Sequence, residues 1–357
     1  MPYLSALLVT LGGPAPRDPD LAIVTDQAEA ALAILEAQVA RRAVPEAAWD
    51  RLFASEGYRR LKAREAAMGR AFEDSGFRAF LTSDTLLPRT SALRVALREW
   101  RAAELGKASR RALAYLPAGT RIRAKVYLLV KPRTNSFVFE ADTDPAIMLY
   151  LDPARTRAQL ENTIAHELHH IGYAAACSSS PDVSDSAVVT ARQWLGAFGE
   201  GVAMLAAAGG ADVHPHAASP PEDRERWDRD VANAGADLKR VEAFLLDVLD
   251  RRVTDPDSIR TAGMSFFGVQ GPWYTVGWVM AAAVERHAGR PALLASLCDP
   301  VLLLEAYDGA AAGRPESRPL PRWSASLLRR LTPRPRPRRV APRRRRRRSP
   351  RSDTRRR

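Results

Sequence analysis

Residues 166–170 read His-Glu-Leu-His-His, so that His166, Glu167 and His170 occupy the positions of an H-E-x-x-H motif. Residues four apart lie on the same face of an α-helix, and two imidazoles placed in this way can bind one metal ion. The carboxylate between them can act as a general base on water at that metal. The motif therefore predicts zinc-dependent hydrolysis, with His166 and His170 as metal ligands and Glu167 as the base.

The third ligand of such a site must come from elsewhere in the chain, because hydrolytic zinc sites usually have three protein ligands and one open position. We expect Glu200, whose flanking glycines would allow a second helix to approach the first closely. His214 and His216 are alternatives, although they lie in a proline-bordered loop that offers a less rigid platform. A Glu200 that only caps or solvates its own helix is the remaining interpretation.

The sequence around the motif favours an amphipathic helix over about 153–171. Asp152 and Pro153 suit the N-cap and the first helical position, and Gly172 suits the C-terminal end. One apolar stripe has the spacing of a helix face: Leu160, Ile164, Leu168 and Ile171. His169 falls away from the ligand pair, and we expect it either to support the site or to be exposed.

The rest of the sequence predicts an α+β protein that is predominantly helical. Helical patterns fill 24–116, and alternating apolar residues then predict three short strands that form a small antiparallel or mixed sheet before the motif helix. The strands are expected at about 122–130, 136–141 and 146–151. Further helices are expected at about 185–207, 223–251, 272–288, 291–297 and 300–306.

Composition suggests four parts. They are an N-terminal segment (1–20), a helical N-terminal region (21–118), a catalytic region (119–312) and a disordered tail rich in arginine and proline (313–357). The tail holds 19 arginines against two acidic residues, so the preceding residues are mildly acidic although the chain has a formal net charge of +13. Its run Arg343–Arg348 could contact nucleic acid or other anions nonspecifically. It could equally lack a function, or be an artefact of an out-of-frame reading.

The two cysteines and the apolar segments give little information on the cellular compartment. Cys177 and Cys298 are too few for a disulfide scaffold, and we expect them to be ordinary, partly buried thiols. No apolar run reaches the roughly 18 residues of a membrane span. Residues 1–11 are apolar but lack the basic leader of an export signal. The cytoplasm is therefore slightly favoured, and export stays open.

Three segments of the chain resemble the gluzincin metallopeptidases, and most closely an uncharacterised family of zinc-dependent peptidases. The segments are His166–His170, Glu200–Ala203 and Gly271–Gly277, the last of which opens a helix. The resemblance covers roughly 20–310. It implies a thermolysin-like (zincin) catalytic core, a zinc ion bound by His166, His170 and Glu200, peptide or protein substrates, and Tyr274 as a stabiliser of the oxyanion.

The chain also departs from the gluzincin pattern. Twenty-nine residues separate His170 from Glu200, which is more than in the best-known gluzincins, and an inserted loop at 174–185 would account for the difference. Met204 stands where an aspartate commonly orients a histidine. These departures leave open a zincin-fold protein without proteolytic activity. The arginine-rich tail leaves open a second alternative, an anion- or nucleic-acid-binding protein that acts through that tail.

Overall fold

The computed structural model describes residues 20–177, 183–313 and 320–332. These residues form a predominantly helical protein with one small mixed sheet, which confirms the predicted class. The strands are β1 (Asp20–Val24), β2 (Arg123–Leu129), β3 (Phe137–Phe139) and β4 (Ala146–Tyr150). The helices before the sheet's last three strands are α1 (Asp26–Val39), α2 (Glu46–Ala54), α3 (Glu56–Ala67), α4 (Asp74–Leu81), α5 (Thr90–Trp100) and α6 (Leu105–Leu113).

The helices that follow the sheet make up the rest of the described fold. They are α7 (Arg157–Ala176), α8 (Ser186–Leu195), α9 (Gly199–Ala208), α10 (Pro221–Ala232), α11 (Ala234–Leu249), α12 (Pro256–Ser265), α13 (Pro272–Ala288), α14 (Arg290–Ser296), α15 (Pro300–Ala312) and α16 (Ala325–Leu331). None of the helices in the described ranges is long and apolar enough to span a membrane.

The sheet has the strand order β1-β2-β4-β3, and it contains one strand more than the sequence predicted. β2 pairs in parallel with both β1 and β4, whereas β3 pairs antiparallel with the outer edge of β4. Most residues of β2 and β4 are buried, as expected for interior parallel strands, although Arg123 is exposed and Lys125 is half-buried. β1 escaped prediction because the strand with which it pairs lies about a hundred residues later, where Leu21 faces Ala124.

Helix α7 carries the H-E-x-x-H residues, and it begins and ends later than predicted. Its N-cap is Thr156, which forms a capping box with Gln159, while the Asp152 carboxylate instead accepts a hydrogen bond from the backbone of Ala154. Gly172 lies inside the helix, where any Cβ would overlap the side chain of Leu116. The predicted apolar stripe is confirmed, since all four of its members are buried.

The loop predicted at 174–185 begins later than expected, because α7 continues to Ala176, and α8 lies within the helix predicted at 185–207. The predicted helix at 185–207 is divided into α8 and α9 by a short 3₁₀ turn at Gly196–Phe198. The 29 residues between His170 and Glu200 therefore include the last residues of α7, all of α8 and the 3₁₀ turn. Residues 178–182 of the predicted loop lie outside the described residues. The predicted helix at 223–251 is likewise divided, into α10 and α11.

Cys177 and Cys298 form a disulfide bond, so the prediction of two thiols was wrong. The bond joins the C-terminal end of α7 to the connection between α14 and α15. The two residues are 121 positions apart, and spacing of that kind carries no signal for pairing.

The predicted disorder of the tail is also wrong for part of its length. Residues 325–331 form α16, and the side chains of Trp323, Leu327 and Leu331 are buried against the body of the protein. These three apolar residues follow the helical spacing of four, but arginine and proline dominate the sequence around them. The run Arg343–Arg348 lies outside the described residues.

Candidate metal centre

Three side chains from α7 and α9 converge at one point. The Nε2 atoms of His166 and His170 lie 3.0 Å apart, and each lies 3.1 Å from Oε2 of Glu200. One ligand atom from each of the three residues lies within 4.8 Å of the other two. The structure therefore brings together the two histidines and the glutamate that the sequence proposed as metal ligands.

The donor set fits a zinc-sized divalent cation. Two imidazole nitrogens and one carboxylate oxygen form a set that zinc accepts readily. The two nitrogens face each other as well as the same oxygen, so hydrogen atoms alone cannot satisfy all three contacts. A cation between them would satisfy all three at once. His166 Nδ1, on the other side of the ring, is buried and has no hydrogen-bond partner among the described residues.

The positions of the ligands follow from the packing of α7, α9 and α13. His166 and His170 are one turn apart on α7, and Glu200 lies in the first turn of α9. α9 is held against α13 at Gly201, where any Cβ would overlap the backbone of Trp278. The glycine after Glu200 therefore allows a close helix approach, but to α13 and not to the motif helix α7 as the sequence suggested. A Cβ on Gly199 would meet nothing within 4 Å, so the preceding glycine does not contribute to it.

Burial and mutual charge determine the protonation of the centre. Burial alone would raise the pKa of Glu200, but His170 and His166 lower that pKa far below its ordinary value. Burial alone would lower the pKa of His170, but the effect of the Glu200 carboxylate is larger than that of burial, so the pKa of His170 is raised. The pKa of Glu167 is raised by burial, which the two histidines oppose only in part. The carboxylate beside the ligands is thus a stronger base than a hydrated glutamate.

The centre opens into a cavity of about 630 Å³, whose lining includes His166, Glu167 and Tyr274. The Tyr274 ring stacks on the His166 ring with 6.3 Å between centroids and 16° between planes. Burial, together with the carboxylates of Glu200 and Glu167, raises the pKa of the Tyr274 phenol well above its ordinary value. Tyr274 therefore keeps its proton and can donate a hydrogen bond near the metal position.

The remaining histidines lie outside the three-residue cluster. His214 Nε2 lies 3.1 Å from Asp228, and His216 lines the cavity with Nδ1 at 3.0 Å from Ser219 Oγ. His169 is buried rather than exposed, with Nε2 3.2 Å from the carbonyl oxygen of Tyr115. Burial lowers the pKa of His169 to about 3, so this ring is neutral and supports the packing of α7.

Sequence reasoning missed most of the polar lining of the cavity, which includes Asn135, Arg155, Gln159, Asn162 and Gln270. Two of these residues had a usable signal. Gln159 and Asn162 precede His166 by seven and four residues, which is the spacing of one helix face. Asn135, Arg155 and Gln270 come from loops, and no local pattern connects a loop to a site formed by distant elements.

Comparison with known proteins matches this chain to a protein family. The model of the family described as "Putative zinc dependent peptidase (DUF5700)" matches residues 49–315, which include α7, α9 and α13. No curated protein matches the chain. No solved structure matches it either. Since the match spans most of the chain and all of the residues that form the candidate metal centre, the protein belongs to this family.

Proposed function

We propose that this protein is a zinc-dependent peptidase of the gluzincin type, with His166, His170 and Glu200 as the zinc ligands. The observation that carries the proposal is the meeting of two histidine nitrogens and a carboxylate oxygen within 4.8 Å, beside a cavity that Glu167 also lines. Two ligands from an H-E-x-x-H helix and a glutamate from a later helix form the gluzincin arrangement. The mixed sheet directly before α7 supports a thermolysin-like core.

Each residue of the site then has a separate role. Zinc bound by the three ligands would supply a Lewis acid that lowers the pKa of water. Glu167 lies outside the ligand cluster, so its carboxylate is free to accept the proton of the attacking water and to pass it to the leaving amine. Tyr274 donates a hydrogen bond to the negative charge that develops on the substrate carbonyl oxygen.

The experiment that tests this proposal measures zinc content and peptide hydrolysis in the same preparations. The full chain would be compared with Glu167→Gln and Glu200→Gln, using a mixed peptide library. Glu161→Gln is the matched control, because Glu161 is a buried carboxylate of the same helix that pairs with Lys107 at 3.2 Å and does not line the cavity.

We expect about one zinc ion per chain and cleavage of peptides by the unaltered protein. Glu167→Gln should keep the zinc and lose cleavage, and Glu200→Gln should lose the zinc. Glu161→Gln should retain both zinc and cleavage. Absence of zinc from the unaltered chain after metal is supplied would overturn the ligand assignment. Bound zinc without cleavage of any peptide would instead favour a zincin-fold protein that has no peptidase activity.

A further inference from the structure

We propose that the cavity binds a carboxylate group of the substrate through Asn135, Arg155 and Gln159, which we call the donor trio. This inference rests on the proposed function and specifies its substrate class. All three residues line the cavity that His166 and Glu167 also line. The carboxylate belongs either to an acidic side chain or to the C-terminus of a peptide, and the experiment below distinguishes these sources.

Gln159 presents hydrogen-bond donors to the cavity because its oxygen is already engaged. Oε1 accepts a hydrogen bond from the backbone N–H of Thr156 at 2.7 Å, and it also lies 3.1 Å from Oγ1 of Thr156. A backbone N–H can only donate, so the atom that faces it must be the oxygen of the carboxamide. The Nε2 amino group, with its two donors, has no hydrogen-bond acceptor among the described residues and is available to a ligand.

Asn135 has the same orientation for a similar reason. The Lys131 ammonium lies 2.6 Å from the carbonyl oxygen of Arg133, 2.5 Å from that of Asn135 and 3.2 Å from Oδ1 of Asn135. Three donors thus meet three acceptors, and Oδ1 faces a group that can only donate when protonated. The Nδ2 amino group of Asn135 remains as the free end of the side chain.

Arg155 adds a positive charge that its neighbours only partly neutralise. Its nearest carboxylate, Asp152, lies 3.7 Å from Nε, and the same carboxylate lies 3.8 Å from the guanidinium of Arg89. One negative charge therefore faces two positive charges. The other arginine of the cavity differs, because Arg226 pairs with Asp223 at 2.7 Å. A guanidinium that is not fully paired can bind a carboxylate through two parallel hydrogen bonds.

The donor trio therefore offers N–H groups and one excess positive charge, and a carboxylate is the ligand that accepts both. A neutral carboxamide of the same shape would bring its own N–H donors and would leave the excess charge unpaired. Sites built on charge-assisted hydrogen bonds commonly discriminate against such an analogue by about 10-fold or more.

The test measures peptide binding separately from cleavage. A labelled five-residue peptide would carry glutamate or glutamine at each position in turn, with either a free or an amidated C-terminus. Binding to the full chain carrying Glu167→Gln would be measured by fluorescence anisotropy at pH 6.5, below the pKa of about 7 to which burial lowers Lys131. The same titrations would be repeated after adding Arg155→Gln, and after adding Arg226→Gln as the control for an arginine that is already paired.

We expect at least one carboxylate peptide to bind about 10-fold more tightly than its carboxamide counterpart. Arg155→Gln should reduce this preference below about 3-fold, and Arg226→Gln should preserve it. Preference for a glutamate position identifies an acidic side chain as the source, whereas preference for the free terminus identifies the C-terminal carboxylate.

Several results would overturn the carboxylate site. They are equal affinity for carboxylate and carboxamide peptides, absence of any binding, and a preference that Arg155→Gln leaves unchanged. The last result would assign the preference to other basic residues, such as those of the tail. Cleavage by the unaltered chain without a carboxylate preference would leave the proposed function standing while this inference fails. A carboxylate preference that depends on Arg155, in a chain that cleaves no peptide, would leave this inference standing while the proposed peptidase function fails.

Discussion

Gly201 on α9 faces Gly277 on α13, and a Cβ built on Gly277 would lie 3.2 Å from the Cα of Gly201. A Cβ on Gly201 would overlap the backbone nitrogen of Trp278. The two helices are thus in direct backbone contact one residue after Glu200. Because this contact limits where α9 can lie, we expect the glycine pair to position the Glu200 carboxylate, although neither glycine belongs to the ligand cluster.

Gly201→Ala should therefore weaken metal binding as well as stability. The added methyl group must push α9 away from α13, and overpacking of this kind costs about 1–3 kcal/mol of unfolding free energy. Displacement of Glu200 should lower zinc affinity by about 10- to 100-fold, as does the loss of other groups that orient a ligand. Chelator competition and urea unfolding would measure the two effects. Gly199→Ala is the control, since its Cβ would meet no atom within 4 Å. Equal zinc affinity in both variants would contradict this role of Gly201.

Tyr274→Phe tests the hydrogen-bond donor beside the metal position. The phenylalanine ring retains the stacking on His166 but removes the hydroxyl group. We expect kcat to fall about 10²- to 10³-fold, while KM and zinc content change little. Tyr173→Phe, on α7 but outside the cavity lining, should leave kcat unchanged. A rise in KM at constant kcat would show that Tyr274 contacts substrate without stabilising the oxyanion.

The sequence identified three side chains that converge in the structure, because each of them belongs to a local pattern. His166 and His170 are related by helix periodicity alone, and Glu200 could be recognised from its glycine neighbour. The single helix predicted at 185–207 is, however, divided into α8 and α9. The features that were missed depend on distant pairing. β1 requires β2, the disulfide joins residues 121 positions apart, and Trp323 becomes interpretable only where it contacts Phe198, with 5.9 Å between ring centroids.

Lys131 should make stability depend on pH above neutrality. Its side chain is 2% exposed, and burial, reinforced by Arg64 and Arg133 and opposed by Glu65, lowers its pKa from 10.5 to about 7. Between pH 7 and 10.5 the unfolded chain keeps a proton that the folded chain has lost, so unfolding becomes less favourable as pH rises. Below pH 7 both states are protonated, and the full cost of burying the charge remains.

Lys131→Met removes this titration. Relative to that variant, the unfolding free energy of the unaltered protein should rise between pH 7 and 9, by at most about 1.4 kcal/mol per pH unit. Urea unfolding of both proteins at pH 6, 7, 8 and 9 would measure the difference. Parallel pH profiles would show that Lys131 keeps an ordinary pKa in the folded protein.

The disulfide between Cys177 and Cys298 should contribute strongly to stability because it closes a long loop. With a sequence separation of 121 residues, restriction of the unfolded chain is worth up to about 5 kcal/mol, and measured effects are commonly 2–4 kcal/mol. A reducing agent should therefore lower the Tm of the unaltered protein. The double variant Cys177→Ser/Cys298→Ser should have the lower Tm from the start and should not respond to the reductant. An unchanged Tm on reduction, with two free thiols detected, would contradict the prediction.

Truncation at two positions separates the arginine run from the part of the tail that packs on the body. Removal of 333–357 deletes 14 arginines, and we expect zinc content, cleavage and Tm to stay unchanged. Removal of 314–357 also deletes Trp323, Leu327 and Leu331, each of which contributes about 1.5–3 kcal/mol through burial. Because Trp323 contacts Phe198 immediately before α9, this longer truncation should lower both the Tm and the zinc affinity. Loss of cleavage on the shorter truncation, with zinc and Tm unchanged, would show instead that the arginine run takes part in activity.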